Sequence, residues 1–241
     1  MRVLASKDYD QMSRRAAYIV AGQVLLNPRS VLGLPTGSTP QGLYRELVRL
    51  FQEGDLDFSE VTAFNLDEYL GLSRTDPQSY AWFMEENLFK FVNVPPERRH
   101  IPDGMATDPE GECARYERKI EAAGGIDLQI LGLGREGHIG FNEPGVKFEK
   151  HTHLIRLTEG TIQANARFFS SPEQVPTRAL TMGIKSIMGA KRIILLASGQ
   201  EKADAVAAAV RGPVSPELPA SILQLHPDVT FVVDGAASSK L

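Results

Sequence analysis

Short, continuously apolar runs alternate along this chain with longer stretches in which apolar residues recur every three or four positions. The runs are RVLA (2–5), SVLGL (30–34), VTAFNL (61–66), DLQILGL (127–133), HLIRL (153–157), RIILLA (192–197) and VTFVV (229–233). A strand that is apolar at successive positions has both faces covered, as in a parallel sheet between helical layers. Helical spacing fills the intervals at 8–26, 40–53, 79–90, 109–123, 161–169, 179–189 and 200–210. The alternation predicts an α/β fold, a doubly wound, mainly parallel sheet flanked by helices, of Rossmann-like type. The run at 153–157 fits less neatly and suits an antiparallel edge strand. The Pro-rich patches VPPERRHIP (94–102) and PVSPELP (213–219) are short enough to be loops. Nothing marks a boundary, so residues 1–241 are expected to form a single domain.

Composition narrows the function classes. The chain is 42% hydrophobic and 23% charged, ordinary globular values, with a formal charge of −4. That charge offers no general attraction to nucleic acid or to an anionic membrane, so a phosphate site has to be local. Cys113 stands alone and cannot form an internal disulfide, which suits a reducing compartment. The opening MRVLASKDYDQ is too soon charged for a signal peptide, and no run has the length of a membrane span. The expectation is a soluble cytoplasmic protein with no nucleic-acid or membrane partner.

The chemistry gathers where the apolar runs end, the side on which open α/β sheets bind ligands. After the second run, PTGSTP (35–40) leads into a helix that Thr39 is placed to cap, with Pro40 at its first position. Gly37 lets backbone approach a ligand, and Thr36, Ser38 and Thr39 add hydroxyls beside free N–H groups at the helix start. This suits a phosphate, although it is neither a P-loop nor a G-x-G-x-x-G turn, and an ordinary tight βα turn reads equally well. After the third run come Asp67 and Glu68, adjacent acids of which only one can face a given pocket. A carboxylate held there beside apolar neighbours has a raised pKa and suits a general base, though taken alone the pair also reads as a plain acidic loop.

After the fourth run the chain reads GREGHIGFNEPG (134–145). Gly132, Gly134 and Gly137 allow a sharp turn and bring backbone towards a ligand. His138 titrates near neutrality, and Glu136 and Glu143 lie two before and five after it, each a candidate to orient the imidazole. Asn142 is a candidate for substrate hydroxyls. His151 and His153 alternate on the expected strand, but no third ligand with suitable spacing accompanies them, so no catalytic metal is expected.

Taken together, the stretches GLPTGSTP (33–40), FNLDEYLGL (64–72), GLGREGHIGFNEPG (132–145), ANARFF (164–169), ALTMGI (179–184), SGQEKA (198–203) and LQLHPDV (223–229) resemble the glucosamine-6-phosphate deaminases, also called isomerases. The sister 6-phosphogluconolactonases typically carry GHxASLFPG where this chain has GHIGFNEPG. The resemblance implies conversion of D-glucosamine 6-phosphate and water to D-fructose 6-phosphate and ammonia in amino-sugar catabolism, a hydrolase reaction needing no metal or organic cofactor. It implies Asp67 as the base between C2 and C1, His138 as the ring-opening group, and Glu143 as its partner. It places the phosphate on Gly37, Ser38, Arg167 and Lys202, with Thr36, Thr39 and Gly137 expected beside them as substrate- or phosphate-binding residues. Many members have Asp or Asn where this chain has Glu136, a longer acid two residues before the histidine. Longer members also carry a C-terminal extension tied to hexamer assembly and to activation by N-acetylglucosamine 6-phosphate. The chain ends at Leu241 soon after its last apolar run, so it resembles the short type and is expected to lack that activation, as monomer or homo-oligomer. Regulators that share the fold bear an N-terminal DNA-binding module, for which a first strand at Arg2 leaves no room.

Overall fold

The computed structural model describes every residue except Arg167, Phe168, Ser170, Pro172 and Glu173, and at Ala164 the backbone alone. A seven-stranded sheet forms the centre, in the order β1 (Arg2–Ser6), β10 (Val229–Asp234), β9 (Arg192–Ala197), β6 (Leu128–Gly132), β2 (Val31–Leu34), β3 (Thr62–Asn65) and β5 (Arg99–His100). All of its pairings are parallel. The continuous apolar runs are explained by two separate cores. Ile194 and Leu196 of β9 pack on one face with α1 (Tyr9–Leu26) and α2 (Gln41–Gln52). Ile193, Leu195 and Ala197 of the same strand pack on the other with α4 (Pro109–Ala122), α6 (Ile184–Met188) and α7 (Ala203–Arg211). Strand period 2 meets apolar surroundings on both sides, so every position of β9 after Arg192 is buried.

From β2 the chain runs outward to β3 and β5, then returns to β6 and continues the other way through β9 and β10. The direction reverses between β2 and β6. Loops leaving these neighbours diverge to opposite faces, and the divergence opens a crevice at their carboxyl ends. A second, three-stranded antiparallel sheet borders that crevice: β4 (Asp67–Tyr69), β8 (Arg178–Thr181) and β7 (His153–Arg156).

This small sheet corrects the sequence reading. Residues 178–181 are a strand rather than the start of a helix over 179–189; the helix there is only α6. Leu180, Ile184 and Ile187 mimic helical spacing, but Gly183 is extended as the cap residue before α6, and a Cβ there would lie 2.2 Å from the His151 carbonyl oxygen. Residues 153–156 do form an antiparallel strand, at an edge of the small sheet instead of the large one. The patch at 94–102 supplies β5, and LDEY supplies β4. No helix among the described residues is long and apolar enough to cross a membrane.

Candidate active site

The crevice is a cleft of about 950 Å³, lined from the carboxyl ends of β2, β3, β6 and β9. Thr36, Gly37, Ser38 and Thr39 form its wall after β2. Gly37 has φ +91°, the left-handed conformation a glycine tolerates, and the turn leaves space around its Cα. The expected capping arrangement is different. Helix α2 begins at Gln41 with Pro40 as its cap residue, and no side chain of the turn caps it. Tyr9 from α1 does so instead: its hydroxyl accepts from the Gly42 N–H at 2.8 Å and reaches the carbonyls of Ser38 and Thr39 at 3.2 and 3.1 Å. A residue remote in sequence thus closes the helix end and leaves the Thr39 side chain facing the cleft.

Asp67 and Glu68 of β4 face opposite ways. Asp67 lines the cleft, is 6% exposed, and receives no hydrogen bond from a described residue. Burial, reinforced by the negative Glu68 beside it, pushes its pKa up to about 8. Glu68 points into the protein, where its carboxylate accepts from the N–H groups of Tyr69, Tyr80 and Ala81 at 2.8, 2.9 and 2.9 Å. It thereby caps the start of α3 (Tyr80–Met84), whose Tyr80 ring lies in the cleft wall, stacked on Phe141. Burial still raises Glu68 to about 7, against the three N–H donors that hold it down. Thr181, the partner of Asp67 across β4 and β8, accepts the Phe141 N–H at 3.0 Å. That bond fastens the end of the 134–141 loop beside the acid.

His138 sits in that loop with its ring laid against Gly134. A Cβ at 134 would come within 2.2 Å of the imidazole Cε1, so the glycine is required by the ring and not merely by a turn. The side chain is a quarter exposed, towards the cleft. Burial first, then the positive Lys202, lower its pKa to about 4, opposed by Glu136. The imidazole is therefore neutral at pH 7 and able to accept a proton. Behind it, Glu143 is nearly buried, with Oε2 3.6 Å from His138 Nδ1. Burial raises the Glu143 pKa, opposed chiefly by the Thr161 hydroxyl, which donates to Oε1.

The remaining expected residues divide. Lys202, at the start of α7, lines the cleft. Glu136 lines it too but is exposed, and it touches His138 only through its charge, with no hydrogen bond or ion pair to a described residue. Gly137 is not brought to the cleft. Its N–H donates to Gly134, its carbonyl accepts from Ala220, and its Cα abuts Leu218, so both its polar groups serve the loop. Asn142 is likewise withdrawn from substrate: its amide donates to the carbonyls of Ile139 and Met182, both at 2.9 Å. Arg167 lies outside the described residues. Among the described residues no cluster of His, Cys, Asp and Glu is arranged to hold a metal; the His153 ring bonds back to the His151 carbonyl. Tyr9, Tyr80 and Thr161 were not legible as site residues, because each reaches the cleft through a fold contact rather than a motif.

Residues 7–232 match the family described as glucosamine-6-phosphate isomerases/6-phosphogluconolactonase. The chain is 59% identical to a glucosamine-6-phosphate deaminase of Clostridioides difficile (strain 630), over 100% of this chain and 97% of that one. It is 58% identical to the namesake of Halothermothrix orenii over the full length of both. A solved structure described as a monomeric glucosamine-6-phosphate deaminase of the NagB superfamily superposes with a TM-score of 0.98 at 48% identity, covering 100% of each chain. By matched length and by identity, this chain belongs to the glucosamine-6-phosphate isomerase/6-phosphogluconolactonase family.

Proposed function

We propose that the chain converts D-glucosamine 6-phosphate and water to D-fructose 6-phosphate and ammonia, an aldose–ketose isomerisation joined to deamination. The observation that carries this reading is one cleft holding both a carboxylate of raised pKa with no donor among the described residues, Asp67, and a neutral histidine backed by an acid, His138 with Glu143. Neutral His138 takes the proton of the anomeric hydroxyl and returns one to the ring oxygen, opening the pyranose with no net proton change. Glu143 supports the imidazolium that exists between the two transfers. The substrate then brings an ammonium group at C2 next to Asp67, and that charge draws the carboxyl into its ionised form. Asp67 removes the C2 proton while one ammonium proton passes to the C1 oxygen, giving an enolamine, and then delivers the C2 proton to C1. The resulting C2 iminium adds water, and ammonia leaves.

The hydroxyls and N–H groups of residues 36–39, with Lys202 opposite, are the proposed phosphate cradle. By resemblance Arg167 joins it, its planar fork suited to two phosphate oxygens. Phosphate binding energy remote from C1 and C2 holds the open chain in reactive geometry. Glu136 tunes His138 through space. The same reading takes residues 1–241 as one deaminase domain acting in the cytoplasm, in line with the lone buried Cys113.

The test is to incubate metal-stripped protein with glucosamine 6-phosphate and follow ammonia and fructose 6-phosphate together. Equimolar release is expected. Tight binding without either product would overturn the reading in favour of a sensor, and hydrolysis of a sugar-phosphate lactone instead would replace it with the sister activity.

A further inference from the structure

We propose that Thr161 is a positioning residue, whose hydroxyl holds one oxygen of Glu143 so that the other faces His138. The inference rests on the reading of His138 and Glu143 as the ring-opening pair. Thr161 belongs to the first turn of α5 (Glu159–Ala166) and is 6% exposed. Its hydroxyl donates to Glu143 Oε1, and it receives in turn the Thr158 hydroxyl at 3.3 Å. The Thr158 oxygen also accepts the Thr161 N–H at 3.3 Å, so Thr158 fixes the threonine it feeds.

The far side of the carboxylate shows what this relay aims at. Glu143 Oε2 and His138 Nδ1 are both buried, and neither has a hydrogen-bond partner among the described residues. They face each other at 3.6 Å, a few tenths of an ångström beyond a good N–H···O bond. Unpaired buried polar atoms are costly in a resting structure. Uptake of a proton at the cleft-facing nitrogen requires that Nδ1 carry the hydrogen of the neutral ring. Protonation then turns the Nδ1–H facing Glu143 into a charged donor, so the contact is weak in the neutral state and strengthened in the charged one. The imidazole is set against Gly134 and has little room to turn. The carboxylate must therefore be aimed, and the Thr161 hydroxyl is the leading donor to it, with Thr158 acting more weakly on the same group. Gly160, Thr161, Gln163 and Asn165 also line the cleft, so the element that aims Glu143 is one that meets the substrate.

Among the described residues the charged groups acting on His138 are Lys202, Glu136 and Glu143, and Glu136 also acts on Glu143. Thr161→Val keeps the shape and removes the donor. Glu143 then loses a bond that favours its ionised form, and support for the imidazolium weakens. Two readouts are expected to move together: the His138 imidazole titrates at lower pH by NMR, and kcat on the ring-closed substrate falls about tenfold with KM little changed. Thr161→Ser, which keeps the hydroxyl, is expected to restore both. An unchanged His138 titration in Thr161→Val would overturn the proposal. So would a serine variant as impaired as the valine one, since packing of the methyl would then be the cause. Should the valine variant fail to fold, Thr161→Ala against Thr161→Ser makes the same comparison. The titration needs no substrate. A titration shift in a protein that releases no ammonia would thus sink the deaminase reading while leaving the Thr161 link standing.

Discussion

The two sides of β4 treat the same chemical group in opposite ways. On the inner side, Glu68 is given three backbone N–H donors and fixes the start of α3. On the cleft side, Asp67 is equally buried and is given none from the described residues. One acid is satisfied and acts as structure. The other is left hungry for a positive partner, which on the proposed mechanism a substrate ammonium supplies. Neighbouring carboxylates are thus told apart by their donors rather than by their burial.

Asp67→Asn tests this contrast most severely. Turnover is expected to fall by at least about 1,000-fold, as for loss of an acid–base group, while the affinity for fructose 6-phosphate stays within a few fold. The same variant is expected to be more stable than the parent. The folded-state pKa of Asp67 is about 8, raised from 3.8, so the folded protein holds a proton that the unfolded chain releases. Folding is therefore penalised increasingly as pH rises from about 4 to 8. Urea denaturation is expected to show a gain that is small near pH 4 and grows to several kcal/mol at pH 8, at about 1.4 kcal/mol per pKa unit. Equal stability at both values would mean that Asp67 is not held against its ionisation.

His138→Gln comes next, with an expected loss of about 100-fold on the cyclic substrate and much less on an open-chain analogue. Equal losses would assign His138 to a later step. Glu68→Gln probes the other side of β4. One amide oxygen cannot replace two carboxylate oxygens, so a destabilisation of about 1–3 kcal/mol is expected, read by thermal unfolding. Activity should suffer mainly through displaced Tyr80, and an undisturbed melting temperature would deny Glu68 its structural role. The smallest effect belongs to Tyr9→Phe. It removes the hydroxyl that accepts the Gly42 N–H, and costs about 1 kcal/mol with a modest rise in KM. An unchanged KM would separate the cap from the proposed phosphate turn.

Much of this was legible because it is written locally. The runs that became β2, β6, β9 and β10 are apolar at consecutive positions, and that pattern needs no tertiary knowledge. Gly37, Asp67 and His138 stand at strand ends, where their types already suggest chemistry. What escaped is what only contact creates. Strand β4 is three residues of which two are acids, and it exists because β8 pairs with it. The Gly137 backbone was offered to a ligand by its residue type, yet Leu218 and Ala220, some eighty positions on, had claimed it. Thr39 is a sound cap by local rules and was displaced by a tyrosine hydroxyl from α1. The signal for Thr161 was present in LTEGT, where Thr158 opens a helix turn, but its aim at Glu143 depends on two loops meeting.

The strand order also sets a timetable for the growing chain. β1 emerges from synthesis first and pairs with β10 alone, Arg2 opposite Thr230 through Ser6 opposite Asp234. Every residue lining the cleft, from Tyr9 to Lys202, can therefore be made while the first strand has no neighbour to join. Only when Val229–Asp234 leaves the ribosome does the gap between β1 and β9 fill. Contacts so distant in sequence form slowly, and an unpaired strand invites wrong partners while it waits. A chain stopped before Val229 would carry nearly all of the cleft on a sheet still missing the strand that joins β1 to β9.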